Sequence, residues 1–449
     1  MIKLKPHGKA WLAAPAVIVT AAIGLAVPAQ VAGNSAAAAT VPAAGPMPVT
    51  VTPCVGKKVT GPFFVKGAQV YAGNGGHRDK ATPFLSYGPT VADSLDVRNW
   101  PRGPISKARL DSLVAMDENE IQWAADDWCA NTVRIQVNQD LLFTDSLRND
   151  FRINRSYLEA IEAEVQDAVN HDLVVVLNDS TESSADGTNE LMPTLTTFRF
   201  WEVMTGIYGH GYGPGHLDGP AHVIFDLFNE PRDPDTMWTA WYRGAGAPLP
   251  PAGGVYYGME DLALWVRDHF RARNLFWVEG PGYSDTFAGI YPSYMITVSN
   301  VVYAIHHPAP GVSPTTPDNP AAWSADFGFL SRQGIAPVVV GEWTNHELGS
   351  RYNSACWIDA KTQVHVFLAG YLATYHIGLS AYTLNSGYLL REQWSATTPP
   401  EELAPNPLEP TTINANWTCK PVTGTAGGQQ GAGYEVYQFF RKQNMAPAA

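Results

Sequence analysis

Short apolar runs, separated by segments of helical periodicity, recur along this chain. Most of these runs carry Val, Ile or Phe at consecutive positions rather than at alternate ones. Such runs predict strands that are buried on both faces, as in a parallel sheet covered by helices. The predicted strands are Phe63–Tyr71, Asn131–Val137, Leu173–Asn178, His222–Asn229, Asn274–Glu279, Val301–His306, Ala336–Glu342 and Ile377–Leu384.

Amphipathic helices are predicted between these strands. Apolar residues recur at spacings of three and four from Leu158 to Ala168, a similar stripe runs from Val364 to Tyr371, and Tyr434–Arg441 predicts a closing helix. Eight strand–helix units in about 380 residues predict an α/β fold, a single-domain (β/α)8 TIM barrel with enlarged active-site loops. The rival, a doubly wound nucleotide-binding sheet, lacks a glycine-rich phosphate motif after any predicted strand.

The first 29 residues have the pattern of a secretory signal peptide. Three lysines precede an apolar stretch, Trp11–Val27, and Val27-Pro28-Ala29 offers small residues for cleavage. A single membrane anchor is the alternative, but the stretch is rich in weakly apolar Ala. Residues 30–55, rich in Ala, Pro and Thr, predict a flexible linker, and residues 56–445 the catalytic domain. We therefore expect secretion.

Composition narrows the class of partner. The chain has 449 residues, a net charge of -13, 14 Trp and 19 Tyr. The negative charge argues against nucleic acid and against an anionic membrane surface as partners. An acidic, aromatic-rich protein fits a neutral polysaccharide or oligosaccharide, and we expect a monomer that has no membrane contact after signal cleavage.

Chemistry in such a barrel comes from the C-terminal ends of its strands. Glu230 follows the fourth predicted strand, Glu279 ends the fifth and Glu342 ends the seventh. A carboxylic acid and a carboxylate that face each other across a cleft are the groups that glycosidic bond cleavage requires. The fourth and seventh strands lie on different sides of the barrel mouth, so Glu230 and Glu342 are the predicted catalytic pair.

Five segments, in order along the chain, resemble glycoside hydrolase family 5, which carries its catalytic Glu on strands 4 and 7. They are Asn131–Arg134, Phe225–Pro234, Val302–His306, Ala336–Trp343 and Asn385–Leu390. The resemblance implies a retaining glycoside hydrolase, most simply an endo-β-1,4-glucanase, in which Glu230 is the acid/base and Glu342 the nucleophile. It also implies that Arg134 contacts the nucleophile and that His306 lines the cleft.

Each role has a chemical reason. Arg134 would keep Glu342 ionised by pairing with it, and the ionised Glu342 would raise the pKa of Glu230, so that Glu230 holds a proton to donate. Asn229 could bind the sugar 2-hydroxyl. His306 could hold the acid/base or a hydroxyl, and its alternative is a purely structural histidine.

Two aromatic residues, Trp343 and Tyr382, could stack on sugar rings, with core packing as the alternative. The adjacent His306 and His307 could suggest a metal, but neighbours on one strand point to opposite faces, so we expect neither metal nor cofactor.

Three departures from the family pattern surround the cleavage point. Ser180 stands where the family has His, Pro308 where it often has Tyr, and Tyr382 where it has Trp. These changes leave three functions open. The protein could be an endo-β-1,4-glucanase, the same catalyst acting on mannan or another β-glycan or glycoside, or an inactive barrel that binds polysaccharide.

Four cysteines follow the signal segment. In a secreted protein they favour two disulfides over a zinc site, since none forms a C-x-x-C pair. Cys54 and Cys129 precede strands and should meet at the N-terminal face of the barrel, whereas Cys356 and Cys419 follow strands and should meet at the catalytic face. Pairing of Cys54 with Cys419 remains the alternative.

Overall fold

Eight parallel strands close into a barrel, as the apolar runs predict. In chain order they are Tyr87–Val91 (β1), Thr132–Asn138 (β2), Val174–Thr181 (β5), Val223–Asp226 (β6), Phe276–Glu279 (β7), Val301–Ile305 (β8), Val338–Trp343 (β9) and Gly378–Ala381 (β10). The strands pair around the ring in the order β1-β10-β9-β8-β7-β6-β5-β2. A separate hairpin, Phe143–Asp145 (β3) with Asp150–Ile153 (β4), lies outside the barrel sheet.

This computed structural model describes thirteen parts of the chain, all within the compact unit Val49–Ala449. They are residues 54, 86–91, 106, 120–145, 150–181, 190–209, 222–232, 238–244, 256–306, 319–343, 366–382, 384 and 433–445. The predicted signal peptide, most of the predicted linker, and the cysteines Cys356 and Cys419 lie outside the described residues. Within the described part, no helix has both the length and the apolar character needed to cross a membrane.

Helices and short helical turns lie between the barrel strands along the chain and close it. They are residues 120–126 (α1), Arg155–Asn170 (α2), Leu195–Tyr208 (α3), Trp238–Arg243 (α4), Met259–Leu264 (α5), Pro281–Ser284 (α6), Pro320–Trp323 (α7), Phe329–Arg332 (α8), Ala373–Tyr375 (α9) and Gly433–Met445 (α10). Wider π-helical turns follow α5 (Trp265–His269), join α7 to α8 (Ser324–Gly328) and precede α9 (Val366–Leu372).

The first barrel strand corrects the sequence prediction. The predicted run Phe63–Tyr71 lies outside the described residues, and Tyr87–Val91 fills the place between β10 and β2. A Cβ on Gly88 would lie 1.7 Å from the carbonyl oxygen of Thr132, so β1 can approach β2 only with glycine there. Neighbouring strands rather than its own apolar pattern specify this element.

The barrel interior changes from apolar to charged along its axis. One cluster of buried side chains contains Val174, Val176, Ile224, Trp277, Val302, Ala304 and Val339. On four of these strands the same alternation continues into polar residues at the C-terminal end, namely Asn178, Asp226, Glu279 and His306. The apolar layer therefore forms the floor of a polar site at the barrel mouth.

The opposite face of the barrel is tied by a disulfide. Cys54 bonds Cys129, three residues before β2, with a Cα–Cα distance of 5.4 Å, as the face argument predicted. The closing helix α10 packs beside it: Asn444 donates a hydrogen bond of 2.6 Å to the carbonyl of Cys129. The predicted Cys356–Cys419 bond stays a prediction.

Candidate active site

Arg134 is the centre of the polar site at the barrel mouth. Its side chain is fully buried and its guanidinium donates to four side chains. Nε donates to Asp226 at 2.8 Å, while one terminal nitrogen donates to Asn229 at 2.8 Å and to Glu279 at 3.2 Å. The other terminal nitrogen donates to Oε1 of Glu342. The rigid fork of an arginine suits such a set of acceptors, and a lysine could not match it.

Glu342 reaches this centre because β9 carries an irregularity. The register against β10 shifts between the pair Leu379–Val340 and the pair Ala381–Trp343. A bulge of this kind re-aims the next side chain, here that of Glu342, into the barrel mouth. Gln136, two residues after Arg134 on β2, also donates to Oε1 of Glu342 at 3.2 Å.

Glu230 follows β6 in an unusual backbone conformation. Its φ is 49°, in the left-handed region that is uncommon for a residue other than glycine. Its backbone N–H donates to Oε2 of Glu279 at 2.6 Å. The side chains of Glu230 and Glu342 are 23% and 16% exposed, whereas those of Arg134, Asp226 and Glu279 are fully buried. The two partly open carboxylates are thus the ones that a substrate can reach.

His306 follows β8 and lies between three carboxylates. Its Nδ1 is 3.1 Å from Oε1 of Glu230 and 3.7 Å from Oε2 of Glu342. Its Nε2 is 3.1 Å from Oε1 of Glu279, an ion-pair contact rather than a well-aligned hydrogen bond. Glu230, His306 and Glu342 converge, with one nitrogen or oxygen atom from each within 4.8 Å of the others. That no metal takes part stays a prediction.

The family model for Cellulase (glycosyl hydrolase family 5) matches residues 106–387, more than half of the chain, and includes all the residues above. This chain belongs to glycosyl hydrolase family 5. It is therefore a glycoside hydrolase.

One curated relative aligns with this chain over a shorter stretch than the family model does. An endoglucanase of Paenibacillus polymyxa is 32% identical over 120 residues, which cover 25% of this hydrolase and 30% of the relative. The chain thus spans less than a third of the length of that curated protein.

Solved structures resemble this hydrolase loosely. A β-glucanase from Saccharophagus degradans in complex with cellotetraose has a TM-score of 0.49 and 15% identity, covering 71% of this chain and 86% of that one. An endo-β-1,4-glucanase from Xanthomonas axonopodis pv. citri has a TM-score of 0.47 and 15% identity, covering 80% and 100%.

The electrostatics of Glu230, the predicted acid/base residue, correct one sequence prediction for this hydrolase. Burial raises the pKa of Glu230, but the hydrogen bond and charge of His306, with Arg232 and Arg134, outweigh it and hold the pKa below its ordinary value. The expectation of a raised pKa for Glu230 is wrong, because the imidazole of His306 lies between the carboxylates of Glu230 and Glu342. Although burial opposes it, the charges of Glu279 and Glu342 raise the pKa of His306 well above its ordinary value. Both shifts favour a protonated His306 that faces an ionised Glu230.

Beneath the pair, Asp226 carries a second perturbed carboxyl group. Burial and then the charge of Glu279 raise the pKa of Asp226 to about 7, although Arg134 opposes the shift. Asn178 donates to the same oxygen that Arg134 contacts, at 3.0 Å.

Two of the remaining predicted site residues lie at the mouth. Asn229 is buried beside Arg134, which occupies its Oδ1, so its amide N–H groups are what it can offer to a sugar. Tyr382 is half-buried directly after β10, and its backbone N–H donates to the carbonyl of Trp343 at 2.7 Å. Their contacts with substrate stay predictions.

Trp343 has a different position from the one proposed for a sugar platform. Its side chain is 1% exposed, and its ring stacks on Phe367, with centroids 5.9 Å apart. Because Glu342 points into the barrel mouth, its neighbour on the strand points outward, into the layer between barrel and helices. The alternative stated for this residue, core packing, is therefore correct.

Sequence reasoning did not assign Gln136, Asp226 or Glu279 to the site. Gln136 had a usable signal, because it lies two positions after Arg134 and hence on the same face of β2. Glu279 stood out as a Glu at a strand end, but its three partners depend on the packing of three other strands and could not be read from the chain.

Proposed function

We propose that this hydrolase is a secreted, retaining endo-β-1,4-glucanase that cleaves cellulose-like β-glucans by double displacement. The observation that carries the proposal is the convergence of Glu230 and Glu342 around Arg134 in a family 5 barrel. The proposed substrate is supported by the P. polymyxa endoglucanase, a segment of which aligns with a quarter of the chain.

The spacing of the carboxylates supports retention of configuration. Oxygens of Glu230 and Glu342 lie within 4.8 Å of each other. Inverting enzymes hold their carboxyl groups about 6.5–9.5 Å apart to admit a water molecule, whereas retaining enzymes hold them at about 5–5.5 Å. The close pair favours direct attack by one carboxylate on the sugar.

The hydrogen bonds to Glu342 indicate which oxygen attacks. Arg134 and Gln136 both donate to Oε1, so Oε2 is the oxygen left to bond the anomeric carbon. As that bond forms, the glycosidic C–O bond breaks, and the leaving oxygen takes a proton from Glu230. In the second step Glu230 removes a proton from water, and the water oxygen displaces Glu342 from the sugar.

The proton route follows from the position of His306. The lowered pKa of Glu230 and the raised pKa of His306 favour the proton on His306, whose Nδ1 lies 3.1 Å from Oε1 of Glu230. When a sugar covers the carboxylates, transfer of that proton from Nδ1 to Oε1 of Glu230 makes Glu230 the acid. The two groups therefore act as one proton-holding unit, whose apparent pKa belongs to the pair.

A panel of soluble β-glycans tests the proposal. The purified chain is incubated with carboxymethyl cellulose, mixed-linkage β-glucan, galactomannan and xylan, while NMR follows the anomer of the first product. We expect a rapid fall in the viscosity of the two glucans and a β-configured first product. Cleavage of galactomannan alone would replace β-glucan by mannan as the substrate. An α-configured first product would overturn retention, and binding without any cleavage would identify an inactive barrel.

Secretion has its own test. Expression of the full chain in a secreting bacterial host should place the protein in the medium, with its new N-terminus directly after Ala29. Retention of the whole chain in the membrane fraction would favour the anchor instead.

A further inference from the structure

The carboxylate of Glu279 joins three parts of the active site. Its Oε1 accepts from Arg134 at 3.2 Å and lies 3.1 Å from Nε2 of His306. Its Oε2 accepts from the backbone N–H of Glu230 at 2.6 Å. These three contacts link Glu279 to Glu230 itself and to Arg134 and His306, which contact the predicted catalytic carboxylates.

Pairing with Arg134 alone does not explain why this buried carboxylate is present. Arg134 already pairs with Asp226 and Glu342. Adding Glu279 places a third carboxylate around one guanidinium, and its charge helps to raise the pKa of Asp226. A carboxylate beyond what one guanidinium can neutralise needs a second cation, and His306 supplies it, with Nε2 3.1 Å from Oε1 of Glu279. An acid whose second partner is the imidazole that faces Glu230 is expected to serve the site.

The hydrogen bond between Glu279 and the N–H of Glu230 restrains a strained position of the backbone, Glu230 itself. A non-glycine residue with φ near 49° is held there only if its surroundings over-determine it. The short bond from its N–H to the fully buried Glu279 is such a restraint, and the carboxylate itself is fixed by Arg134 and His306. Glu279 thus links the main chain of Glu230 to the imidazole that faces its side chain.

We propose that Glu279 is a positioning residue, which holds His306 and the backbone of Glu230 in the arrangement where the two share one proton. The proposal rests on the assignment of Glu230 as the acid/base. Glu279 acts through these two residues and does not contact the substrate.

A consequence follows for the pH dependence. The charged groups around His306 are Glu230 after β6, Glu279 on β7, Glu342 on β9 and, one contact further, Asp226 and Arg134. Removing the negative charge of Glu279 makes it easier for the imidazole to lose its proton. The alkaline limb of kcat/KM, which reports loss of the shared proton, should therefore move to lower pH.

The substitution Glu279→Gln tests this with little change of shape. A glutamine has one oxygen and one NH2 group, so it cannot accept both from Glu230 N–H on one side and from Arg134 and His306 on the other. The matched control is Asp226→Asn, which also removes one buried carboxylate from Arg134 but none of the contacts to His306 or Glu230. A third variant, Glu279→Asp, keeps the charge and shortens the side chain.

We expect Glu279→Gln to lose roughly 10²-fold in kcat and to shift the alkaline limb down by about one pH unit. Asp226→Asn should lose activity while the alkaline limb of kcat/KM stays close to the pH of wild type. In Glu279→Asp, which keeps the charge, the alkaline limb should move much less than in Glu279→Gln. An unshifted limb in Glu279→Gln, or an equal shift in Asp226→Asn, would overturn the proposal.

An activity-independent measurement separates this inference from the proposed substrate. The chain has 12 histidines, so the imidazole signal of His306 is assigned in NMR spectra by its loss in His306→Gln. Its titration midpoint should fall in Glu279→Gln and remain near wild type in Asp226→Asn. If no β-glucan is cleaved but this shift is present, the proposed substrate fails while the positioning role stands. An unchanged midpoint in a variant that melts as cooperatively as wild type would refute the role.

Discussion

Arg134 donates a hydrogen bond to Glu342 from a strand that is not its neighbour: β1 and β10 separate β2 from β9 in the barrel. The contact therefore depends on closure of the barrel as a whole. The side chain of Arg134 should therefore affect both the predicted nucleophile and the stability of the barrel mouth.

Replacement of Arg134 by Lys should reduce both activity and stability. A lysine has no planar fork and cannot bridge Asp226, Glu279 and Glu342. We expect kcat/KM to fall roughly 10²–10³-fold, and the free energy of unfolding to fall by about 3–5 kcal/mol because buried carboxylates lose their partner. Steady-state kinetics and urea denaturation measure the two effects. A variant as stable as wild type would contradict the central place given to this residue.

Loss of the predicted nucleophile should be rescued by a small anion. Glu342→Ala should reduce kcat about 10⁴-fold or more, and added azide should restore turnover of an aryl glycoside while yielding an α-glycosyl azide. Gln136→Leu is the matched comparison, because it removes a donor to the same oxygen. We expect a smaller loss there, roughly 10-fold, with no response to azide. Azide rescue of both variants would show that the nucleophile lies elsewhere.

The effect of losing the predicted acid/base, Glu230, should depend on the leaving group of the substrate. Glu230→Ala should lower kcat/KM roughly 10²–10⁴-fold on oligosaccharides, whose leaving oxygen needs a proton, and far less on dinitrophenyl glycosides, which do not. A series of aryl glycosides with graded leaving-group pKa measures the slope. An equal loss for every member of the series would exclude Glu230 from proton donation.

Stability should decline as the pH rises from about 5 through about 7 and above. The pKa of Asp226 is raised to about 7, so its contribution is present at acid pH and is lost as the pH rises toward that value. His306, whose pKa is also raised, contributes below its ordinary pKa and loses that contribution at still higher pH. Glu230 has the opposite sign, since its pKa is lowered, and acts only at the acid end. Thermal melts should therefore show a Tm that falls as the pH rises. In Asp226→Asn the fall of Tm up to about pH 7 should be smaller. A Tm that climbs steadily with pH would contradict this.

The disulfide at the N-terminal face should stabilise the barrel without affecting catalysis. Cys54→Ser with Cys129→Ser should lower the free energy of unfolding by about 2–4 kcal/mol. Because the bond lies at the face opposite Glu230 and Glu342, kcat/KM well below the melting temperature should change less than twofold. A large loss of activity in a folded variant would mean that the two faces are coupled.

The barrel was predictable from sequence where its strands carry their own signal. Runs such as Leu173–Asn178 and Val301–His306 are apolar on both faces, and the structure has β5 and β8 at these places. Tyr87–Val91 carries Gly88 and Pro89 instead, and it becomes a strand because β2 and β10 lie on either side. Such an element depends on tertiary neighbours, which no local pattern records.

The sequence predicts which residues lie at the strand ends that form the site, but not which of their side chains contact each other. The positions of Glu230, Glu342 and Arg134 follow from barrel topology. The pKa of Glu230 does not, because it depends on where the His306 ring falls between two carboxylates. The outward direction of Trp343 was available from strand alternation, once Glu342 is placed inward. Distances of a few tenths of an ångström decide the electrostatics, and they are set by packing.

The closing helix and the disulfide meet at one place. Arg441 lies 3.8 Å from Sγ of Cys54 and donates to the carbonyl of Asp127 at 3.3 Å, while Asn444 reaches Tyr87 and Cys129. Positions far apart along the chain thus share the face that points away from the cleft. For immobilisation this gives a natural handle: coupling to a resin or electrode near residue 54 or residue 444 orients every molecule with its catalytic mouth toward the solution, where an insoluble polymer can be presented to it.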